Sequence, residues 1–421
     1  MEQHQDLIHW KSQAWFDPGM VAWYSRQMQD HSGINALKYR VEQDLCMKHV
    51  VGPRLLDVGV GTGRGSIPFA RIGLDVTGVD SSQSMLDECR RQAGEAPMRL
   101  LQSDATRLPA SDGEFDTVMS LNLMVHLPNW RAVLTEWGRV VRPGGRIVFD
   151  INSVDHYNAM QGRDDRYQDL IPTHPDDYAQ FMLALSARDI VEFANENDLA
   201  VVDLTPYGGF ASDSSRWPWR DGPLKQKHWW RRQLEWVSQD ARLFDFTLFM
   251  EQRLFAVLTT RVTGRFMVVL EKRADPEANQ SWLAAREALN DRLAGVIDAA
   301  LLRDLVPGGW EDWRATFNAF LDHPRNRVLF GFLLQAVGER NIDLALTEML
   351  DARHLDALRE WINHEACDTQ ALIMASGWHA CPEFAEAMTL RGVNMGVGLE
   401  YGLMRRLLRD YFQVTAPEST Q

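Results

Sequence analysis

The chain has 421 residues, of which 45% are hydrophobic and 24% charged. At about 150 residues per domain, this length predicts two to three domains, or one large domain with an addition, in a globular protein. Acidic residues outnumber basic residues by 58 to 44, which gives a net charge of −14. This balance argues against a protein that binds long stretches of nucleic acid, because such a protein needs a basic surface to displace counterions.

The cysteines and the apolar segments indicate the compartment. No two of the four cysteines have C-x-x-C spacing, so we expect free thiols and no zinc site. Residues 1–10 lack the basic and apolar regions of a signal peptide. The longest apolar stretch, 328–334, is much shorter than the ~20 residues that span a bilayer. We therefore expect a cytoplasmic protein without a metal site or membrane contact.

Taken in chain order, the predicted elements begin with helices in residues 1–50 and then alternate. Strands are predicted at 54–58, 74–79, 98–102, 117–120 and 146–151, with helices at 66–72, 82–92 and 130–141 between them. A helix at 187–197 and strands at 199–204 and 265–271 complete the pattern. Such alternation predicts a parallel sheet with helices on both faces.

Two segments stand apart from this alternation. Residues 209–236 contain five tryptophans and read as an insertion in the sheet. From 276 onward we find only helical patterns, without lysine and with a net charge of −8, after a polar cluster at 273–279. We therefore predict a helical N-terminal cover (1–50), a core (51–275) with the insertion at 209–236, and an all-α C-terminal domain (276–421).

Three acidic residues lie at the carboxyl ends of three successive predicted strands. The run RLLDVGVGTGR at 54–64 places Asp57 before Gly59, Gly61 and Gly63. Glycines allow a sharp turn and close approach of a ligand to the backbone, although a plain tight turn is equally compatible with this run alone. Asp80 comes directly after the second predicted strand, and Asp104 follows the third. Together they favour a ligand crevice at the carboxyl ends of the strands, with Asp80 on a ribose.

These runs resemble class I S-adenosylmethionine-dependent methyltransferases of the small-molecule type. The matching segments are LLDVGVGTGRG at 55–65, VTGVDSSQSML at 76–86, SDATRLPASDGEFDTV at 103–118, the run at 121–152 and RFMVVLEK at 265–272. The resemblance implies a Rossmann-like seven-stranded core. It also implies S-adenosylmethionine as the cofactor, held by Asp57, Gly59, Gly61, Gly63, Asp80, Ser81, Met85, Asp104, Ala105 and Asn122.

The resemblance also suggests how these residues divide the cofactor among them. Asp57 and the glycine backbone would hold the methionine end, and Asp80 the ribose. Met85 would pack near the adenine, and Asp104 and Ala105 would read its edge. Asn122 would lie near the reactive methyl group.

The same pattern is also compatible with other functions. A dinucleotide oxidoreductase is disfavoured because its usual G-x-G-x-x-G places the third glycine one residue later. A scaffold or regulatory partner that assembles through its helical domain would be expected to lose some cofactor motifs. Cyclisation or aminopropyl transfer would use the same cofactor without methyl transfer. The favoured function is methyl transfer to an oxygen or nitrogen atom of a small-molecule acceptor.

A base is needed only where the acceptor carries a proton that must leave. His126 follows the fourth strand, and His156 and Tyr157 follow the fifth, so these are the candidate catalytic residues. A purely structural role for His126 is the main alternative. The tryptophans of 209–236 would cap the site or pack against other helices, and the basic residues among them hint at an anionic acceptor. In the predicted C-terminal domain, His364-Glu365 begins like the zinc motif H-E-x-x-H, but position 368 is Asp, so the second histidine ligand is missing. This domain would serve packing or a homodimer interface.

Overall fold

The computed structural model describes residues 15–29, 33–161, 170–172, 181–208, 263–292, 309–322 and 351–354, and the isolated positions 244–245, 248, 251–252 and 256. Residue contacts divide the chain into two compact units. The first comprises 1–31, 38–208 and 263–288, and the second 32–37, 209–262 and 289–421. The predicted insertion at 209–236 and most of the predicted C-terminal domain lie outside the described residues.

The main elements of the described residues are nine α-helices and nine strands. The helices are α1 (Pro18–Gln29), α2 (Gly33–His49), α3 (Ile67–Arg71), α4 (Gln83–Ala93), α5 (Trp130–Val140), α6 (Val154–Gln161), α7 (Ala187–Glu196), α8 (Pro276–Arg292) and α9 (Trp310–Leu321). The strands are β1 (Arg54–Val58), β2 (Asp75–Asp80), β3 (Met98–Gln102), β4 (Phe115–Ser120), β5 (Val141–Ser153), β6 (Leu170–Pro172), β7 (Phe181–Leu185), β8 (Ala200–Tyr207) and β9 (Arg265–Glu271).

Seven of these strands form the predicted core sheet. The parallel strands run in the order β3-β2-β1-β4-β5, and β9 pairs antiparallel with both β5 and β8. The predicted Rossmann-like, seven-stranded arrangement is therefore confirmed. Because the strand order reverses between β1 and β4, the loops after these two strands diverge and leave a crevice at their carboxyl ends.

Two further strands were not predicted. β6 and β7 form a short antiparallel pair, and β7 joins the sheet through Asn152 and Ser153 at the end of β5. β5 itself is longer than the predicted strand at 146–151, because Val141 already pairs with Phe115 of β4 ahead of a bulge. Short pairings of this kind leave only a weak periodic signal in a sequence.

Local capping explains where two of the helices begin. The Ser82 hydroxyl accepts a hydrogen bond from the Met85 N–H at 3.2 Å and caps α4. At α7, Ser186 and Asp189 form a reciprocal capping box. Such side chains satisfy N–H groups that have no partner within the helix.

Large aromatic side chains fill the core between α5, α7 and the sheet. Trp137 of α5 is completely buried and meets Phe149 of β5 edge to face, with ring centroids 6.1 Å apart. Trp130 lies 5.4 Å from Phe193 of α7. Burial of apolar side chains of this size contributes about 1.5–3 kcal/mol each, so these residues hold the helices firmly against the strands.

The described part of the second unit is small. In α9, Trp313 stacks between Trp310 and Phe317, at centroid distances of 5.4 and 5.3 Å. His354 Nε2 lies 3.1 Å from Asp322 Oδ1 just beyond that helix. Among the residues that the structure describes, no helix combines the length and apolar character needed to cross a membrane.

Candidate active site

A glycine turn, residues 59–65, follows β1 and leads the chain towards α3. Gly59, Gly61 and Gly63 have positive φ angles of 72°, 53° and 85°, a region that glycine adopts without the steric cost of a Cβ. A Cβ on Gly59 would lie 2.7 Å from Leu123 Cδ2, and one on Gly63 would lie 2.5 Å from Ile67 Cδ1. At Gly61 the nearest atom would be 3.9 Å away, so a ligand has room to approach this part of the backbone.

Asp80 ties the end of β2 to the glycine turn. Its Oδ2 accepts a hydrogen bond from the Gly61 N–H, and its Oδ1 accepts one from the Ser82 N–H, each at 2.9 Å. Burial raises the pKa of Asp80, while the backbone N–H groups oppose that rise. The carboxylate is therefore held in one orientation at the edge of the crevice.

Asp57 lies one residue before the end of β1, and only 3% of it is exposed. Burial raises the pKa of Asp57 to about 7, and the charge of Asp80 adds to this rise. A carboxyl group that changes protonation near neutrality is unusual in a protein core and is typical of functional sites.

Ser81 and Met85 lie on either side of the start of α4. Ser81 is exposed, and its carbonyl oxygen accepts a hydrogen bond from Gln102 Nε2 at 2.9 Å. Met85 is buried in the first turn of the helix. The structure thus places one of these sequence-predicted residues at the surface and the other within the fold.

Asp104 and Ala105 follow β3. The Ser103 N–H donates to the Asp80 carbonyl oxygen at 3.0 Å, which keeps this loop beside the end of β2. Asp104 is exposed, and its Oδ1 accepts hydrogen bonds from the N–H and the hydroxyl of Thr106, at 2.7 and 2.5 Å. Ala105 is half-buried against the core. The three predicted acids, Asp57, Asp80 and Asp104, therefore lie at or near the same edge of the sheet.

Asn122 follows β4 and has a φ angle of 60°, which is uncommon for a residue other than glycine. Its N–H donates to Asp150 Oδ1 at 2.5 Å. Its side-chain Oδ1 accepts hydrogen bonds from Lys38 Nζ at 2.8 Å and from Arg265 Nη1 at 2.7 Å. Leu123, the next residue, packs over Gly59. The Asn122 loop thus joins the glycine turn to the charged residues described below.

The three predicted catalytic residues have different surroundings. His126 ends a short 3₁₀ turn, is half-buried, and has its ring centroid 6.3 Å from that of Trp15. His156 is fully buried at the start of α6, and its N–H donates to Ser153 Oγ at 3.1 Å. Tyr157 lies on the same helix, and its side chain falls outside the described residues.

The sequence pattern did not predict a group of charged and polar side chains that lies near Asn122. We call this group the charged cluster; it consists of Lys38, Glu42, Arg64, Asp150, Tyr207 and Arg265. Glu42 Oε2 lies 2.5 Å from Arg64 Nη1, and Asp150 forms an ion pair with Arg265. The Tyr207 hydroxyl lies within hydrogen-bonding distance of Glu42 Oε1 (3.1 Å) and Asp150 Oδ2 (3.3 Å), so it links the two pairs.

Burial and charge act against each other in the charged cluster. Although burial opposes the change, the charges of Arg64, Lys38 and Arg265 lower the pKa of Glu42 to about 2. Burial, followed by the charge of Arg265, lowers the pKa of Lys38 to about 8. Two sequence signals could have drawn attention to the cluster. Lys38 is one of only six lysines, and Asp150 interrupts the apolar run of its strand.

Helix α2 is attached directly to the end of the glycine turn. Gln43 Nε2 lies 3.2 Å from the Arg64 carbonyl oxygen and 3.1 Å from that of Gly65, donating to both. The Glu42–Arg64 ion pair strengthens this attachment one residue away. Helix α2 therefore carries Lys38 and Glu42 to the carboxyl edge of the sheet.

Parts of this sequence resemble known proteins. The family profile described as methyltransferase domain matches residues 56–149. An uncharacterized methyltransferase of Mycobacterium sp. (strain JLS) is 30% identical over 181 residues, which are 40% of this chain and 68% of that protein. The chain belongs to the class I S-adenosylmethionine-dependent methyltransferases. The predicted enzyme class and cofactor are thereby confirmed.

Two further relatives of this methyltransferase have more specific names. The ubiquinone biosynthesis O-methyltransferase of Coxiella burnetii (strain RSA 493 / Nine Mile phase I) is 28% identical over 174 residues, covering 40% of this chain and 71% of that protein. The demethylmenaquinone methyltransferase of Clavibacter sepedonicus is 38% identical over 111 residues, covering 26% of this chain and 45% of that protein.

The residues at the strand ends of the methyltransferase fit S-adenosylmethionine. The space above Gly61 allows a ligand to approach the backbone closely. The carboxylate of Asp80 is of the type that accepts hydrogen bonds from ribose hydroxyls. Asp57, in its ionised form, would complement an ammonium group. The chemistry of these groups and their position at one edge of the sheet thus match the polar parts of the cofactor.

Proposed function

We propose that this methyltransferase transfers the methyl group of S-adenosylmethionine to an oxygen or nitrogen atom of a small-molecule acceptor. The observation that carries the proposal is the charged cluster beside the Asn122 loop, which packs over the glycine turn through Leu123. Oxygen and nitrogen nucleophiles are polar and commonly lose a proton on methylation, so they need polar groups of this kind. The quinone-related names of the two more specific relatives support a small acceptor.

In this proposal the residues predicted from the sequence keep their roles. Asp57 and the glycine turn would hold the methionine end of the cofactor, and Asp80 the ribose. The remaining positions would bind the adenine or line the site near the methyl group, namely Ser81, Met85, Asp104, Ala105 and Asn122. The cofactor, when bound, supplies an electrophilic methyl group, and the protein aligns the acceptor with it and excludes water.

The wider organisation is part of the same proposal. Residues 1–50 would cover the site, and the attachment of α2 to Arg64 and Gly65 supports this role. Residues 209–236 would form a lid on the core of 51–275, and 276–421 a helical packing module or homodimer interface. We further propose a cytoplasmic enzyme that acts without nucleic acid or membrane.

An acceptor screen with detection of S-adenosylhomocysteine tests the proposal. Panels of hydroxyl compounds and of amines would be incubated with the full-length protein and S-adenosylmethionine. Formation of S-adenosylhomocysteine together with a methylated oxygen or nitrogen is the expected result. Products such as methylthioadenosine would instead indicate aminopropyl transfer or cyclisation. A protein that binds the cofactor and releases no product with any acceptor would behave as the scaffold alternative requires.

A further inference from the structure

Lys38 occupies an unusual position within the charged cluster. Its side chain is a quarter exposed, whereas the Glu42 side chain beside it is completely buried. Its Nζ lies 2.8 Å from the Asn122 amide oxygen and 3.8 Å from the Glu42 carboxylate. The closest of these contacts is therefore with a neutral group, which both an ammonium and an uncharged amine can satisfy as donors.

The charges that face Lys38 come from four parts of the fold. Arg265 approaches from β9 and Arg64 from the glycine turn, while Glu42 lies one turn along α2 and Asp150 belongs to β5. Each carboxylate is already engaged by a guanidinium, Glu42 by Arg64 and Asp150 by Arg265. With Lys38 protonated, the five groups carry three positive and two negative charges. Loss of the Lys38 proton would balance them.

Lys38 also lies close to the crevice at the carboxyl ends of the strands. The residue that it contacts, Asn122, follows β4, and the adjacent Leu123 packs over Gly59. Lys38 thus stands at the β4 side of the strand switch point, next to the turn that fits the cofactor. An acceptor that enters the crevice beside the methionine end of the cofactor would meet this amine.

We propose that Lys38 is the general base of the methyl transfer and that the acceptor atom is the oxygen of a weakly acidic hydroxyl group, such as that of a phenol or an enol. This inference rests on the proposed function and narrows its acceptor class. It departs from His126, His156 and Tyr157, the bases suggested by the sequence. The lowered pKa of Lys38 supports the assignment, because a base works best when its pKa lies near the working pH.

In the proposed transfer, Lys38 takes up the proton that the acceptor hydroxyl loses. The neutral amine of Lys38 binds the hydroxyl proton, and the electron pair of the broken O–H bond stays on the oxygen. That oxygen forms the bond to the methyl carbon, while the electrons of the broken carbon–sulfur bond remain on sulfur as a thioether. Because a quarter of the Lys38 side chain is exposed, we expect the ammonium to return its proton to solvent. Asn122 keeps the amine in place through both protonation states.

The first test measures the protonation of Lys38 without turnover. Trace labelling with acetic anhydride across a pH series, followed by peptide mass spectrometry, resolves each of the six lysines. Lys48, on the same helix, is the internal control, since its side chain is 63% exposed and pairs with Asp203. With S-adenosylhomocysteine bound, we expect Lys38 to become reactive about two pH units below an ordinary lysine, whose pKa is about 10.4. Titration together with Lys48, or failure of Lys38 to react at any pH, overturns the proposal.

The second test uses turnover with simple phenols, catechols and amines as probes. Lys38→Arg keeps a positive charge and cannot act as a base near neutrality, whereas Lys38→Met loses both properties. We expect both to lower kcat by about 10²–10⁴-fold with hydroxyl acceptors, and to abolish the ionisation near pH 8 in the kcat profile. The cofactor affinity should change little, and Lys48→Met should behave as the wild type.

The outcomes separate this inference from the function on which it rests. Wild-type kcat and pH dependence in Lys38→Arg would overturn the role of Lys38 as a base. Methylation of amines alone would overturn the hydroxyl acceptor and leave the proposed function intact. Absence of S-adenosylhomocysteine with every acceptor would count against the proposed function, while the labelling experiment would still decide the protonation of Lys38.

Discussion

Single carboxylates determine how the crevice is organised. A substitution of Asp80 tests whether this carboxylate contributes to cofactor affinity. We expect Asp80→Asn to raise the Kd of S-adenosylmethionine at least tenfold, a loss of about 1.4 kcal/mol. The amide is neutral and cannot accept from the Gly61 and Ser82 N–H groups with both of its polar atoms, so the glycine turn loosens. Isothermal titration calorimetry measures the change. The control is Asp87→Asn, whose side chain is 60% exposed on α4. An unchanged calorimetric affinity would refute the assignment of Asp80.

A substitution of Asp57 is expected to change the free energy of unfolding in a pH-dependent way. Its pKa is raised from 3.8 to about 7 in the folded protein, so the folded state holds its proton longer than the unfolded state does. The unfolded state binds fewer protons between these values, and stability therefore falls as the pH rises from about 4 to about 7. Asp57→Asn removes this penalty. We expect the ligand-free variant to gain up to about 4 kcal/mol over the wild type between pH 4 and pH 8, at ~1.4 kcal/mol per unit.

Urea unfolding at pH 5 and pH 8 checks this expectation. Asp75→Asn, at the exposed start of the neighbouring strand β2, provides the matched control. A gain of the same size at both pH values would show that Asp57 is not protonated in the folded protein. Asp57→Asn should also bind S-adenosylmethionine more weakly than the wild type, because the proposed partner of the cofactor ammonium has lost its charge.

At the scale of elements, substitutions in the glycine turn distinguish residues needed for cofactor binding from residues needed for stability. Gly61→Ala adds a methyl group where the nearest atom is 3.9 Å away, whereas Gly63→Ala places one against Ile67 and Cys89. Both also incur the cost of a positive φ angle, about 1–2 kcal/mol. We expect Gly61→Ala to lose cofactor affinity at least tenfold with little further loss of stability. Gly63→Ala should be destabilised by more than the cost of its φ angle alone.

The control for the glycine variants is Gly73→Ala. Gly73 has a φ angle of 96° and no atom within 4 Å of the added methyl group, so it reports the backbone cost alone. Thermal unfolding and calorimetric titration of the three variants give the comparison. A Gly61→Ala protein that binds the cofactor as tightly as Gly73→Ala does would show that the open space above the turn is not the binding surface.

Most of these elements could be predicted because their signals are local. β1, β2 and β3 are short apolar runs bounded by glycine, proline or charged residues, and β9 was predicted at its observed bounds, Arg265–Glu271. The pair of β6 and β7 was missed because each strand is short and carries no periodic pattern of its own. The bulge that starts β4 at Phe115 depends on a partner, Val141, that local sequence does not reveal.

Across the whole molecule, the site was only half predictable for the same reason. Asp57, Asp80 and Asp104 each lie at or just after the carboxyl end of a strand within one contiguous stretch, so a sheet topology suffices to bring them together. The charged cluster instead combines residues as distant as Lys38 and Arg265. Their meeting at Asn122 requires that β9 insert beside β5 and that α2 attach to the glycine turn. Charge alone would have placed both on the surface.

Asn279 can be used to test where the catalytic core ends along the chain. The predicted boundary after residue 275 assigns α8 to the C-terminal domain. Asn279 of α8 is 1% exposed; it accepts from the Val201 N–H at 2.8 Å and donates to the Leu199 carbonyl oxygen at 2.9 Å. Asn279→Ala leaves these buried backbone groups without that partner, at a cost of about 1–3 kcal/mol each. We expect the core to lose about 2–4 kcal/mol in urea unfolding and the Val201 amide to exchange faster with solvent. Gln280→Ala, the exposed neighbouring amide, is the control. Stability equal to that of Gln280→Ala would mean that α8 contributes little to the core and that the predicted boundary is energetically correct.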